Sequence, residues 1–138
     1  MDKTAPITTE SINPITERII GCCFTVSNAL GCGFLEKVYE NALAIKLGKC
    51  GLKVEQQAGI PVYYSGQIVG DYIADLLVEG LVLVELKVVK SLDEVHTAQC
   101  LNYLSATGLP VCLLVNFYRP RIEVKRFLGR NIVTDLSK

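Results

Sequence analysis

The sequence predicts an α/β domain in which helices flank a mixed central sheet. Apolar residues recur at helical spacing in the first third of the chain, as in helices that bury one face. From Val54 onward, runs rich in Val, Ile and Leu are separated by turn residues, which is typical of strands. One helical segment separates two apolar runs, so those two strands should lie parallel. The predicted element order is ααβββαββ.

Two helices are expected before the first strand. Asn13-Pro14 offers an N-cap followed by a proline at the first helical position, and Gly31-Cys32-Gly33 ends this helix. A second helix should cover residues 34–47. The glycines between the two predict a bent pair rather than one continuous rod.

The remaining segments predict five strands and a third helix. Ser65-Gly66 and Glu79-Gly80 are turn pairs that separate the first three strands, which should be antiparallel. Ser91 to Glu94 matches a capping box and opens a helix that reaches about Thr107. The predicted strands cover residues 56–64, 67–78, 81–89, 111–117 and 122–128.

Length and composition indicate a single domain. The 138 residues fit a flexible N-terminal segment at 1–12, one domain at 13–130 and a C-terminal tail at 131–138. The first residues lack the apolar core of a signal peptide, and no apolar run approaches the ~20 residues that cross a bilayer. We therefore expect a cytoplasmic protein that does not enter a membrane.

The cysteines do not predict a metal or redox centre. They show no paired CxxC spacing, and in a reducing compartment such residues usually fill core positions. A zinc or redox protein is therefore poorly supported. The six are Cys22, Cys23, Cys32, Cys50, Cys100 and Cys112.

Charge is balanced overall but unevenly distributed. A formal net charge of zero argues against a protein that coats nucleic acid without specificity. Residues 116–138 nevertheless carry six basic and two acidic side chains. A positive end beside an acidic site would suit a phosphate backbone, but a solvated strand and a loose tail would give the same pattern.

Asp75, Glu85 and Lys87 are charged residues in strands that are otherwise apolar. Because side chains alternate between faces, Glu85 and Lys87 leave the same face. A three-residue turn at 79–81 would place Asp75 opposite Glu85, with Cβ atoms ~5 Å apart. A two-residue turn would instead put Asp75 on the other face. We favour the three-residue turn because Gly80 permits the β-bulge that such a turn needs. This turn also places the three charged side chains on one face.

Two carboxylates at that distance repel each other unless a cation lies between them. Mg²⁺ prefers oxygen ligands and can activate a bound water for phosphodiester hydrolysis. Lys87 could contact the phosphate or orient the attacking water. A structural cross-strand pair of a carboxylate and a lysine is the other explanation, and the apolar surroundings favour a site.

Two helices carry further polar candidates. Glu36 begins the second helix and shares a face with Tyr39 three residues later. His96, Gln99 and Tyr103 have the spacing of one stripe on the third helix. Such a stripe opposite an apolar face indicates a helix that faces a cleft.

These residues resemble a known group of proteins. Residues 33–39, with Gly33, Glu36 and Tyr39, match the motif that names the GxxExxY protein family. Asp75 with Glu85-Leu86-Lys87 looks like the metal-binding signature of the PD-(D/E)xK nuclease superfamily, to which that family is assigned. Residues 96–104 and 113–117 are similar to later blocks of the family, so the resemblance covers nearly the whole chain.

The resemblance implies a restriction-endonuclease-like αβββαβ core around a divalent metal, Mg²⁺ or Mn²⁺. It implies that Asp75 and Glu85 are metal ligands and that Lys87 is catalytic. Glu36 matches a helix carboxylate that many such nucleases bring to the site, and Gln99 a polar residue on the helix after the metal-binding strand. Three residues are further accessory candidates: Tyr39, His96 and Tyr103.

The first hypothesis is a Mg²⁺-dependent nuclease that cleaves DNA, with RNA as the second choice. The alternative is a catalytically silent nuclease-fold module that binds nucleic acid or regulates a partner. A chain this short has little surface for recognising a sequence, so a homodimer or a partner protein could contribute. The apolar strand at 122–128 could supply that contact if it lies at a sheet edge.

Overall fold

The computed structural model describes residues 6–133. Three helices and five strands follow one another in the predicted order, ααβββαββ. In chain order they are α1 (Thr9–Leu30), α2 (Glu36–Lys49), β1 (Val54–Tyr64), β2 (Gln67–Val78), β3 (Val82–Lys87), α3 (Glu94–Thr107), β4 (Val111–Asn116) and β5 (Glu123–Leu128).

All five strands form one mixed sheet in the order β1-β2-β3-β4-β5. β3 and β4 are parallel and are connected through α3, whereas the other neighbouring pairs are antiparallel. The prediction of a parallel crossover unit is therefore confirmed. β5 lies at one edge of the sheet and β1 at the other.

Helices cover both faces of the sheet and bury two hydrophobic clusters. On one face, α1 and α2 pack on β3 and β4, with Ile19, Leu43 and Leu113 at or near zero exposure. On the other face, α3 packs Leu104 against residues such as Leu83 and Leu114. β3 and β4 are buried on both sides, which explains why they read as continuous apolar runs.

α1 begins at Thr9, earlier than the predicted start at Asn13. Thr8 is the N-cap and forms a reciprocal capping box with Ser11, which satisfies two backbone N–H groups. Pro14 lies inside the helix, where its missing N–H costs one intrahelical bond. Burial of Ile12, which is 1% exposed, favours the longer helix.

Described residues from the predicted flexible end at 1–12 and the predicted tail at 131–138 contact each other and the core. The N–H of Thr9 donates to the carbonyl of Val133, and the N–H of Val133 donates to that of Ile7. Ile132 joins the larger hydrophobic cluster. The parts of these predictions at 1–5 and 134–138 lie outside the described residues.

The joint between α1 and α2 has the expected glycine-dependent geometry. Gly31 and Gly33 have φ of 72° and 107°, a region that side-chain-bearing residues rarely adopt. The chain therefore breaks between the helices, and the predicted bent pair is confirmed. Within residues 6–133, neither these helices nor α3 has the length and apolar character that a bilayer-spanning helix requires.

Candidate active site

The turn between β2 and β3 sets the register that brings the acidic residues together. Val78 pairs with Val82, so Glu79, Gly80 and Leu81 form the three-residue turn that the sequence predicted. Glu79 and Gly80 have positive φ values of 55° and 64°. The last regular pair is Leu76 with Val84. The next residues in this register are Asp75 and Glu85.

The two carboxylates replace ladder hydrogen bonds where β2 and β3 diverge. The backbone N–H of Asp75 donates to Oε1 of Glu85 at 2.9 Å. The backbone N–H of Leu86 donates to Oδ2 of Asp75 at 2.8 Å. Each carboxylate therefore occupies the gap between the strands and reaches the other strand. The side chains of Asp75 and Glu85 are adjacent, as the predicted register requires.

Each carboxylate has a second oxygen that these bonds leave unused. Glu85 is only 2% exposed, and Asp75 is half-buried. Within residues 6–133, every side-chain oxygen or nitrogen that is fully buried has a hydrogen-bond partner. Oε2 of Glu85 and Oδ1 of Asp75 accept no hydrogen bond from the described residues, so both must retain contact with solvent. Two oxygen donors are thus available to an ion from solution.

Burial and mutual repulsion dominate the electrostatics of the acidic residues. Burial, followed by the charge of Asp75, raises the pKa of Glu85 to about 8. Burial also raises the pKa of Asp75 and, together with the charge of Asp75, that of Glu36. The charge of Lys87 acts in the opposite direction on the pKa of all three. Glu36, Asp75, Glu85 and Lys87 therefore form one electrostatic cluster.

Lys87 is the cation of this cluster. It lies two residues after Glu85 on β3, and its side chain is half-buried. Across the described chain its side chain forms neither a hydrogen bond nor an ion pair. A half-buried ammonium with no fixed partner can contact an anion that enters the site.

Glu36 and Tyr39 have different environments although they lie one turn apart on α2. Glu36 is the first residue of the helix and is exposed. Tyr39 is fully buried, with its ring stacked on Phe117 at 4.7 Å between centroids. The Tyr39 hydroxyl donates to the carbonyl of Gly31 at 2.6 Å. Tyr39 thus fixes the interhelix loop from inside the core, whereas Glu36 lies at the exposed start of the helix.

Glu40 is a buried acid that the sequence analysis did not identify. It is 3% exposed, and its carboxylate accepts from Lys37 at 3.0 Å, Gln56 at 2.8 Å and Gln57 at 2.9 Å. Its charge raises the pKa of Asp75 and that of Glu36. The four-residue spacing from Glu36 on one helix was the available signal.

Gln99 and Tyr103 extend the site from α3. Nε2 of Gln99 donates to the Tyr103 hydroxyl at 3.1 Å, and that hydroxyl donates to the carbonyl of Ile73 at 3.3 Å. Burial, then the charge of Glu85, raises the pKa of Tyr103. The charge of the acidic pair therefore acts on Tyr103, and Gln99 is hydrogen-bonded to Tyr103.

His96 lies at the start of α3 and is engaged in capping. Its Nδ1 accepts the backbone N–H of Asp93 at 3.2 Å, while the Asp93 side chain accepts from the N–H of Val95 at 3.0 Å. The N-cap is thus Asp93, and the predicted capping box at Ser91 and Glu94 is wrong. Asp93 is two residues closer to the helix, so its side chain reaches the first free N–H groups.

The donor chemistry of Asp75 and Glu85 fits a hard divalent cation. Their available atoms are carboxylate oxygens, the ligands that Mg²⁺ prefers, and few protein ligands suffice because this ion keeps several waters. The part of the chain that the structure describes has no group of three or more His, Cys, Asp or Glu side chains able to hold a metal. A cation at this pair would therefore depend on water and substrate oxygens for its other ligands.

The cysteines give no support to a zinc or redox centre. All six are free. Sγ of Cys22 and Sγ of Cys50 are 3.6 Å apart. Burial raises the pKa of Cys23 to about 12, which keeps the thiol protonated and unreactive. These residues act as small core side chains, apart from the exposed Cys32.

Two solved structures share the fold at low sequence identity. A crystal structure of SSO0001 matches with a TM-score of 0.51 and 17% identity, covering 88% of this chain and 60% of that one. An alkaline exonuclease from Laribacter hongkongensis matches with a TM-score of 0.50 and 17% identity, covering 94% of this chain and 72% of that one. This chain thus spans about three-fifths of the SSO0001 chain.

Sequence comparison identifies the family directly. No curated protein matches the chain. The sequence model of the PD-(D/E)XK nuclease superfamily matches residues 13–127, a span that includes Asp75, Glu85 and Lys87. That match covers most of the chain, and the mixed sheet with three helices agrees with it. The chain belongs to the PD-(D/E)XK nuclease superfamily.

Proposed function

We propose that the protein is a metal-dependent nuclease that hydrolyses phosphodiester bonds of DNA, with RNA as the second choice. The observation that carries this proposal is the adjacency of Asp75 and Glu85, each with one oxygen open to solvent. The ammonium of Lys87, which has no partner among residues 6–133, belongs to the same electrostatic cluster. Membership of a nuclease superfamily supports the reaction class. We also propose the narrower assignment to the GxxExxY family, based on residues 33–39.

In this proposal, Asp75 and Glu85 hold Mg²⁺ or Mn²⁺. When bound, such an ion supplies an acidified water and positive charge at the scissile phosphate. The backbone N–H groups of the diverging strands fix one oxygen of each carboxylate, so the other oxygen of Asp75 and that of Glu85 would be available to hold the ion. Lys87 contacts a phosphate oxygen or holds the attacking water, and its charge offsets the acidic cluster.

Glu36 and Gln99 complete the proposed catalytic set from two helices. Glu36 brings a third carboxylate to the cluster, where it can accept a proton from water. Gln99 can donate an N–H to a phosphate oxygen after it releases the Tyr103 hydroxyl. Tyr39, His96 and Tyr103 remain accessory candidates, and the charges of Glu85 and Asp75 act on Tyr103.

A catalytically silent binding or regulatory module is the second candidate function. It is favoured by one observation: the described residues bring no third side-chain ligand into a ready-made metal cluster. In that case the fold would bind nucleic acid, with a second copy or a partner protein pairing at the edge strand β5. Metal titration separates the two candidates.

Cleavage of plasmid and linear DNA in Mg²⁺ or Mn²⁺ tests the nuclease proposal. Asp75→Asn and Lys87→Ala should each lower the cleavage rate at least about 100-fold, since one removes a ligand charge and the other the local cation. Asp75→Asn is preferred to alanine because the amide oxygen can still accept from the N–H of Leu86. Lys49→Ala is the control: it removes an exposed lysine at the last residue of α2 and should leave cleavage unchanged.

Calorimetric titration with Mn²⁺ gives a second measurement that does not need substrate. Wild type should bind Mn²⁺, and Asp75→Asn should lose that binding. Cleavage that survives in both Asp75→Asn and Lys87→Ala would contradict the proposed site. A wild-type protein that binds no metal and cleaves nothing, but binds DNA, would favour the silent module.

A further inference from the structure

Two concave surfaces meet at Arg119, beside the strand that carries Lys87. One is a basic cavity of about 290 Å³ whose wall includes Lys90, Asn116, Arg119 and Arg121. The other is a larger and more apolar cavity of about 530 Å³, lined by Phe34, Leu35 and Tyr118 among others. Arg119 lines both. We call the two cavities together the Arg119 groove.

The Arg119 groove borders the proposed catalytic residues on two sides. Lys87 and Asn116 are partners in the parallel β3–β4 ladder, so the wall of the basic cavity lies one strand spacing, ~5 Å, from the backbone of Lys87. Leu35 lies at the N-cap of α2, immediately before Glu36. A polymer in the groove would therefore pass close to the acidic cluster.

The basic cavity has the composition of a phosphate subsite. It brings together three cations, Lys90, Arg119 and Arg121, against the single carboxylate of Glu123. Asn116 is a fixed part of the cavity wall. The Asn116 side chain accepts from the N–H of Val89 at 3.1 Å and donates to the carbonyl of Val89 at 2.8 Å. Guanidinium groups bind phosphate oxygens through paired N–H donors.

The apolar cavity presents aromatic rings to solvent. Phe34 is 47% exposed and Tyr118 is 40% exposed. The Phe34 ring is held edge-on against the buried Tyr39 at 6.2 Å between centroids. The Arg119 guanidinium lies 5.6 Å from the centre of the Tyr118 ring. Exposed rings beside a cation provide a stacking surface for nucleobases.

On this basis we propose that the Arg119 groove binds an unpaired, single-stranded segment of the nucleic acid substrate. The inference deepens the proposed nuclease function and rests on it for the class of ligand. Bases within a duplex are stacked on one another and cannot offer their faces to Phe34 or Tyr118, whereas unpaired bases can. The chain has no net charge, so charge alone gives weak attraction to duplex phosphates.

Fluorescence anisotropy in EDTA tests the inference without cleavage. The probes are a labelled oligothymidylate of about 12 nucleotides, within the usual site size, and a blunt duplex of the same length. Wild type should bind the single strand about tenfold or more tightly than the duplex. Phe34→Ala and Tyr118→Ala should each weaken single-strand binding about fivefold or more, the loss expected for one stacked base.

Three further variants separate stacking from charge and from fold. Arg119→Lys keeps the positive charge but loses the planar group, so it should weaken single-strand binding more than duplex binding. Tyr64→Ala removes an aromatic residue that is 74% exposed on β1 and should bind like wild type. Tyr118→Leu, which retains apolar packing, should show the same loss as Tyr118→Ala if stacking is responsible.

Equal affinity for the two probes would overturn the inference, as would wild-type binding by both Phe34→Ala and Tyr118→Ala. Failure of the nuclease proposal has a different signature. A protein that binds the single strand through these residues, but cleaves nothing in Mg²⁺ or Mn²⁺, would support the inference and contradict the catalytic role.

Discussion

Glu85 accepts the backbone N–H of Asp75 at 2.9 Å, so the acid of one strand completes the hydrogen bonding of the strand beside it. The same contact brings the charge of Asp75 close to a carboxylate that is 2% exposed. Burial and this charge together raise the pKa of Glu85 to about 8. Because the pKa of Glu85 in the folded protein is so far from its ordinary value, the stability of the fold depends on pH.

Glu85→Gln should stabilise the metal-free protein at alkaline pH. The ordinary pKa of the residue is 4.5, so between pH 4.5 and about 8 the unfolded chain has released a proton that the folded chain retains. The free energy of unfolding of wild type therefore falls as pH rises through this window, by up to a few kcal/mol. Glutamine stays neutral and can still accept from the N–H of Asp75.

Urea unfolding in EDTA, from pH 5 to pH 9, measures this effect. Wild type and Glu85→Gln should be similar near pH 5 and separate as pH rises, with the variant more stable. Glu17→Gln removes the same charge at an exposed position of α1 and should keep the wild-type slope. Parallel profiles for wild type and Glu85→Gln would show that Glu85 ionises normally.

Glu40→Ala should destabilise the fold by about 1–3 kcal/mol. The substitution removes the shared acceptor of Lys37, Gln56 and Gln57, and it leaves the two glutamine amides without that partner. Glu55→Ala provides the control, because Glu55 is exposed on β1 and its side chain forms no hydrogen bond within the described chain. Equal urea midpoints for the two variants would contradict a structural role for Glu40.

Tyr39→Phe should lower stability by about 1 kcal/mol without changing metal affinity. Phenylalanine keeps the stacking on Phe117 but loses the hydroxyl that donates to Gly31 and accepts from the N–H of Phe34. Thermal unfolding measures the loss, and Mn²⁺ titration tests the site. Tyr64→Phe, at an exposed position, should change neither quantity. A large loss of Mn²⁺ affinity in Tyr39→Phe would indicate a direct role at the site.

The order of elements and the register at the site could be predicted because local signals determine them. Gly80 allows the positive φ of a three-residue turn, and that turn alone places Asp75 beside Glu85. A helix between two continuously apolar strands requires a crossover, which makes β3 and β4 parallel. In both cases a few neighbouring residues carry the information.

The sequence could not reveal features that depend on contacts between distant segments. Burial of Glu40 depends on Gln56 and Gln57, which α2 meets only after β1 has docked against it. The first residue of α1, Thr9, hydrogen-bonds to Val133, near the other end of the described chain. Without knowledge of those contacts, Asn13-Pro14 is the stronger helix signal, and a polar segment before it suggests fraying.

Gly129→Ala should destabilise the protein by about 1–3 kcal/mol, whereas Gly59→Ala should be neutral or slightly stabilising. A Cβ at Gly129 would overlap the carbonyl oxygen of Leu109, and the N–H of Gly129 already donates to the carbonyl of Pro110 at 2.7 Å. A Cβ at Gly59 meets no atom within 4 Å. Because backbone rather than a flexible side chain blocks the added atom, relief requires the segment before β4 to move. Equal urea midpoints would mean that this segment shifts without cost.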